Sequence, residues 1–230
     1  MALTQSKFRT TAQLNTAFSR KITKLLRDGI EENGRVSLIV SGGSTPAGLF
    51  NLLSKSNLEW DKVDISLADE RWVDNTDDAS NEKMLRTQLL INNAANANFV
   101  SLKTQHSDAE DAVLTCTDNL QKMRTPFDVL ILGMGEDGHT ASLFPCSEQI
   151  AQGLDLESGN SFIAVQPTTA PNQRMSLTLP ALLNSNQIFL HLTGESKKEV
   201  LNTALSGDNA LAMPIRAVIN NADVELLWAP

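Results

Sequence analysis

Residues 130–145, "LILGMGEDGHTASLFP", place a histidine directly after three glycines and two positions beyond an aspartate, at the end of an apolar run. A histidine shuttles protons near neutral pH when a neighbouring carboxylate fixes its tautomer, which makes His139 and Asp137 candidates for general acid–base work. The spacing Gly133-x-Gly135-x-x-Gly138 also matches a dinucleotide-binding turn, but that turn needs its third glycine inside a long helix and an acid closing the next strand. Here Pro145 follows His139 by only six positions, and the next expected strand, "SFIAVQ", ends in Gln166. The nucleotide reading is set aside. Of the remaining histidines, His106 precedes an expected helix start and His191 lies in an apolar run, so both read as structural.

Three further segments carry groups suited to an anion. In "SGGSTP" (41–46), Gly42 and Gly43 let backbone approach a ligand, while Ser44 and Thr45 bring hydroxyls and free N–H groups to a helix start. A tight turn before a capped helix would read the same way. The Gly-Lys-Ser/Thr ending of a Walker loop is missing. In "GESKKEVL", Lys197 and Lys198 fall in the first turn of an expected helix, where the macrodipole disfavours cations by roughly 0.3–1 kcal/mol; a bound anion would reverse that sign. Two solvated lysines are the plainer alternative. Arg174 is a third candidate anion ligand. In "LADERW", Asp69, Glu70 and Arg71 close an expected strand, where a guanidinium could pair an oxyanion or carboxylate bidentately, or the three charges could simply be solvated.

Asp74, Asp77 and Asp78 resemble calcium-ligand spacing loosely, without the loop glycine or closing glutamate, so no metal is expected. Cys116 and Cys146 sit far apart, show no zinc-ligand spacing, and read as inert core thiols. No cofactor is implied.

The elements that must position these groups follow from periodicity. Residues 10–33 put Leu14, Phe18, Ile22, Leu25, Leu26 and Ile30 on one helical face, with Thr10 and Gln13 as a capping box and a stop near Gly34. "RVSLIVSGG" reads as strand and turn, and "TPAGLFNLLSK" as a helix with Thr45 at the N-cap and Pro46 at its first position. Next come the strand "VDISLADE", the helix "SNEKMLRTQLL", a helix over "SDAEDAVLTCTDNLQKM" opened by a Ser107/Glu110 capping box, and the strand "FDVLILGMG". The strand "SFIAVQ", a helical stretch around "SLTLPALLN", the strand "QIFLHLTG", the helix "SKKEVLNTAL" and the strand "VELLWA" complete the pattern. Strands alternating with helices predict an α/β fold, a Rossmann-like, mostly parallel sheet with helices on both faces. All four candidate segments then follow strands, and the carboxyl ends of such strands are where ligands bind.

The 230 residues suit a single domain, 1–230. With 41% hydrophobic and 20% charged residues the composition is that of a globular protein. A formal net charge of −8 disfavours nucleic acid and anionic membranes, so an anionic ligand has to be drawn in by local donors. No apolar run reaches the length of a membrane span and the start lacks a secretion signal, which makes a cytoplasmic location the expectation.

Taken together, "SGGSTP", "ADERWVDNTDDASN", "LILGMGEDGHTASLFP" and "TGESKKEVL" resemble, in order and spacing, the 6-phosphogluconolactonases of the pentose phosphate pathway. The resemblance spans roughly residues 10–229. It implies the fold shared with glucosamine-6-phosphate deaminases and ribose-5-phosphate isomerases, and hydrolysis of 6-phospho-D-glucono-1,5-lactone to 6-phosphogluconate without a cofactor. By position it implies His139 as general base with Asp137 beside it, Arg71 and Asp69 as the pocket's "DER" element, and Ser44, Thr45, Arg174 and Lys197 as phosphate contacts. Deaminases of this superfamily carry Asn-Glu-Pro where this chain has Leu143, Phe144 and Pro145. That departure favours a lactonase over a deaminase or isomerase. A sugar-phosphate-sensing domain is the other alternative, but no segment is left for the DNA-binding helices such sensors carry. The expected partner is a small sugar-phosphate lactone, with no nucleic acid or membrane, and the chain is expected to act as a monomer or weak homodimer.

Overall fold

The computed structural model describes residues 2–230. Its elements are β1 (Leu3–Lys7), α1 (Thr11–Asn33), β2 (Val36–Val40), α2 (Ala47–Leu53), β3 (Val63–Leu67), β4 (Asp69–Arg71), α3 (Asn81–Gln88), β5 (Asn98–Phe99), α4 (Val113–Leu120), β6 (Val129–Leu132), α5 (Ile150–Gly153), β7 (Phe162–Val165), β8 (Arg174–Leu177), α6 (Leu179–Leu183), β9 (Ile188–Thr193), α7 (Glu195–Leu205), α8 (Ile215–Asn221) and β10 (Val224–Ala229).

Seven strands form one parallel sheet in the order β1-β10-β9-β6-β2-β3-β5. Successive connections run one way from β1 to β5 and then reverse through β6, β9 and β10. Right-handed crossovers therefore put α1 and α2 on one face and α7 and α8 on the other, and each of these pairs packs together. Strands β2 and β6 are neighbours whose chains leave in opposite directions, toward β3 and β9. Their carboxyl ends diverge there and open a crevice, the switch point at which α/β sheets take ligands.

Helix α1 forms as its periodicity predicts. Leu14, Phe18, Ile22, Leu26 and Ile30 are buried, the Thr10 hydroxyl accepts from the Gln13 amide at 3.2 Å, and Gly34 ends the helix at φ 75°, a left-handed conformation that favours glycine. The sheet's inner strands β2 and β6 are buried at every position, as expected for strands covered on both faces.

Several expectations are corrected. "VDISLADE" is two strands, because the chain changes sheets at Ala68: its N–H donates to Val40 in the parallel sheet, and its carbonyl accepts from Leu177. β4 thereby starts a second, antiparallel sheet, β4-β8-β7. β8 takes in Ser176 and Leu177, which were expected to be helical; all four of its residues are buried, and the helix begins only at Leu179. β1 was not anticipated, since it is an edge strand with mostly exposed polar residues. The Ser107/Glu110 capping box does not form, because the Glu110 and Ala109 amides donate instead to Asp108 and Gln173, and α4 starts at Val113. Thr45 is not a helix cap: Pro46 precedes α2 and no side chain caps it.

Candidate active site

Above the β2/β6 divergence lies a cleft of about 380 Å³, a size suited to a small polar molecule. Loop 41–46 forms one wall, contributing Gly42, Gly43, Ser44 and Thr45; Gly133, Gly135 and His139 contribute from the turn after β6. Asp69 and Arg71 come from β4, Arg174 from β8 and Lys197 from α7. Asp137 joins them through His139. Residues distant in sequence thus converge as the strand-end reading expects.

The turn after β6 is built around the Asp137–His139 pair. Asp137 Oδ1 lies 2.6 Å from His139 Nδ1 and also accepts from the His139 backbone N–H at 3.1 Å. With Asp137 ionised, Nδ1 carries the proton and Nε2 is left as the basic nitrogen. Partial burial opposes ionisation of Asp137, but the hydrogen bonds from the imidazole and from the His139 backbone N–H outweigh it and hold the carboxyl below its ordinary range. Gly135 has to be glycine here: a Cβ would sit 2.1 Å from the His139 ring and 2.7 Å from Asp137 Oδ1. The Gly135 amide donates to the His139 carbonyl and the Gly138 amide to the Gly135 carbonyl, which closes the turn.

Three cations line the cleft against one carboxylate, Asp69, whose Oδ2 accepts from the Ser142 hydroxyl at 2.5 Å. Arg71 Nη1 donates to the Ala79 carbonyl at 2.6 Å, and Arg174 Nη2 to the Pro171 carbonyl at 3.1 Å. The Nε of each arginine is buried with no protein partner. Arg174 is 6% exposed, and burial together with the Arg71 charge lowers its pKa. The two adjacent lysines separate: Lys197 lines the cleft, whereas Lys198 pairs with Glu195 and lies 4.1 Å over the Trp228 ring.

Some residues have roles at the site that sequence reasoning did not assign. Glu70, 1% exposed, accepts from the backbone N–H groups of Arg71, Asn81 and Glu82, each at 2.7 Å, and from the Ser80 hydroxyl at 3.1 Å. Burial nevertheless pushes its carboxyl up to about 7. It binds β4 to the start of α3. Asn81, at that start, lines the cleft, donates to the Asp69 carbonyl at 2.9 Å, and packs so closely on Gly42 that a Cβ there would fall 2.0 Å from its Oδ1. Ser142 and Phe144 also line the cleft. In the sequence Glu70 reads only as one of three charges and Phe144 only as part of the departure from the deaminase pattern; Asn81 and Ser142 carry no signal beyond their place in the quoted segments.

His191 is buried, lines the cleft floor, and is lowered to about 4 by that burial, so its ring is neutral. Cys116 is a buried thiol donating to the Leu102 carbonyl, but Cys146 is not a core thiol: it is partly exposed beside Thr169. Desolvation opposes ionisation of Cys146, yet hydrogen bonds from Thr168 and Thr169 bring it down to about 7. Among the described residues no three His, Cys, Asp or Glu side chains are placed to hold a metal, and no helix is long and apolar enough to cross a membrane.

Comparison with known proteins gives a consistent result. The family described as glucosamine-6-phosphate isomerases/6-phosphogluconolactonase matches residues 9–228. A 6-phosphogluconolactonase of Rhizobium meliloti (strain 1021) is 36% identical over 225 residues, covering 97% of each chain. One from Caulobacter vibrioides is 39% identical, covering 89% of this chain and 88% of the relative. The crystal structure of a 6-phosphogluconolactonase from Shewanella baltica OS155 superposes with a TM-score of 0.97 at 44% identity, covering 100% of this chain and 98% of that one.

Proposed function

The chain belongs to the glucosamine-6-phosphate isomerase/6-phosphogluconolactonase family, and from that premise we propose that it hydrolyses 6-phospho-D-glucono-1,5-lactone to 6-phosphogluconate, with His139 as general base. The observation that carries this reading is the 2.6 Å Asp137–His139 contact in a cleft lined by Arg71, Arg174 and Lys197. A phosphorylated δ-lactone needs both parts, a proton carrier for a water and cations for the phosphate.

A δ-lactone is an activated ester, so no covalent nucleophile is required. His139 Nε2 takes a proton from water as its oxygen bonds to C1. The carbonyl oxygen becomes an oxyanion, the C1–ring oxygen bond breaks, and the imidazolium returns the proton to the departing ring oxygen. General-base catalysis of this kind is worth about 10²- to 10⁴-fold. Asp137 keeps the imidazole in the productive tautomer. For the oxyanion, Arg71 is the favoured donor, because the Gly135 and Gly138 amides already donate within the turn; losing one such donor costs on the order of 10² to 10³ in rate.

Arg174, Lys197 and the hydroxyls of Ser44 and Thr45 take the phosphate, with Gly42 and Gly43 letting backbone close in on it. Asp69 holds the opposite wall through Ser142. Anchoring the phosphate fixes the carbonyl relative to the base, so phosphate binding acts on rate as well as on affinity. The test is a pH-controlled assay of freshly generated lactone beside an ammonia-release assay with glucosamine 6-phosphate. Lactone hydrolysis above the spontaneous rate, with no ammonia, is expected. Ammonia release without lactone hydrolysis overturns the reading.

A further inference from the structure

Phe144 touches both functional halves of the cleft. Its ring stacks on the His139 imidazole with centroids 4.1 Å apart and planes 29° apart, and the Arg174 guanidinium lies over the same ring at 5.8 Å. The ring is itself held: Phe144 is 5% exposed, and its carbonyl accepts from the Ser147 amide at 3.1 Å and the Ser147 hydroxyl at 2.9 Å. Just before it, Ala141 adopts φ 48° and the Leu143 amide donates to the Thr140 carbonyl, forming a tight turn that delivers the ring to the cleft.

The Asp137 hydrogen bond restrains His139 within the plane of its ring but leaves tilt out of that plane weakly controlled. A flat partner supplies the missing restraint. The ring's quadrupole also attracts a guanidinium. An aliphatic side chain of similar volume could fill the space but offers no flat face.

We propose that Phe144 is a positioning residue for lactone hydrolysis: its ring sets the plane of the His139 imidazole and the placement of the Arg174 guanidinium, aligning the proton carrier with a cation that holds the phosphate. This rests on the function proposed above.

Phe144→Leu and Phe144→Tyr test it, with kcat and KM measured per folded enzyme on the phosphorylated lactone, and with proton NMR of the His139 ring identified by its loss in His139→Ala. In the wild type the ring current of Phe144 is expected to shift the imidazole protons upfield. Phe144→Leu is expected to lose that shift, to lower kcat about 10- to 100-fold, and to raise KM about 2- to 30-fold. Phe144→Tyr is expected to keep the shift and restore most of both constants. Wild-type kcat and KM in Phe144→Leu, an equal loss in Phe144→Tyr, or a wild-type imidazole without the shift would overturn the proposal. Should Phe144→Leu fail to fold, the wild-type shift and the tyrosine variant still decide. If the wild type does not hydrolyse the lactone, the substrate reading fails while the NMR measurement still tests the stack.

Discussion

Arg71 and Arg174 are register partners across the antiparallel pair β4–β8, so two guanidinium groups border one cleft from adjacent strands. Arg174 is buried, carries an unpartnered Nε, and has its pKa lowered by burial and by its neighbour's charge. Like charges on adjacent strands repel, and the juxtaposition costs stability until an anion joins them. Inorganic phosphate or 6-phosphogluconate is therefore expected to raise Tm, by the equivalent of about 2.7 kcal/mol at 100 times Kd. In Arg174→Met the ligand-free Tm should be equal or higher and the ligand-dependent rise largely lost. Differential scanning fluorimetry with and without ligand measures both, and an undiminished rise in the variant would remove Arg174 from the anion site.

The glycines after β6 are not equivalent. A Cβ at Gly135 would collide with His139 and Asp137, whereas one at Gly133 meets nothing within 4 Å. Gly135→Ala should displace the imidazole and lower kcat on the order of 10²-fold, with a smaller loss of kcat in Gly133→Ala, whose Cβ meets neither His139 nor Asp137. Steady-state kinetics on the two folded variants separate them; equal effects would show that the turn tolerates a side chain beside the histidine.

Lys197 and Lys198 differ by about 100° around α7. Lys197→Ala should raise KM for the phosphorylated lactone, because a cation is lost from the cleft. Lys198→Ala removes only an exposed pair with Glu195 and a contact with Trp228, and KM should stay as it was. A reversed pattern of KM values would exchange their roles.

Glu70 supplies a pH signature. Its folded-state value of about 7 lies above the ordinary 4.5, so the folded chain holds this proton more tightly than the unfolded chain does. The resulting stability is full below about 4.5 and is lost as pH rises through about 7. From about pH 8 to about pH 6, the stability of wild type relative to Glu70→Gln should increase by about 1 kcal/mol. Urea unfolding at both pH values checks this; a relative stability that shrinks on acidification would mean that the backbone donors around Glu70 keep it ionised.

What the sequence made legible was local. Periodicity located α1, short apolar runs ended by glycines located β2 and β6, and glycine, hydroxyl and charge placement pointed to loop 41–46 and the Asp137–His139 turn, both of which line or adjoin the cleft. The second sheet was not legible as a separate sheet: β7 reads as the strand "SFIAVQ" and β4 as the end of "VDISLADE", but the end of β8 reads as helical, and nothing in three or four nearly buried residues says which sheet a strand joins. Asn81 and Ser142 were missed for a different reason. Their side chains act through Asp69, 12 and 73 positions away, so nothing in their immediate neighbours distinguishes them from ordinary polar loop residues. Cys146, which reads as a core thiol, is partly exposed beside Thr169, a placement that its separation from Thr169 in sequence hides.

The central claim is that His139, oriented by Asp137, carries the proton in lactone hydrolysis. The direct measurement is turnover of freshly generated 6-phosphogluconolactone by His139→Ala, beside wild type under controlled pH, with 6-phosphogluconate binding to the variant measured by calorimetry. The account predicts that kcat falls by about 10²- to 10⁴-fold while the product still binds through Arg174 and Lys197. A folded variant that binds product and turns over at a near-wild-type rate would contradict it.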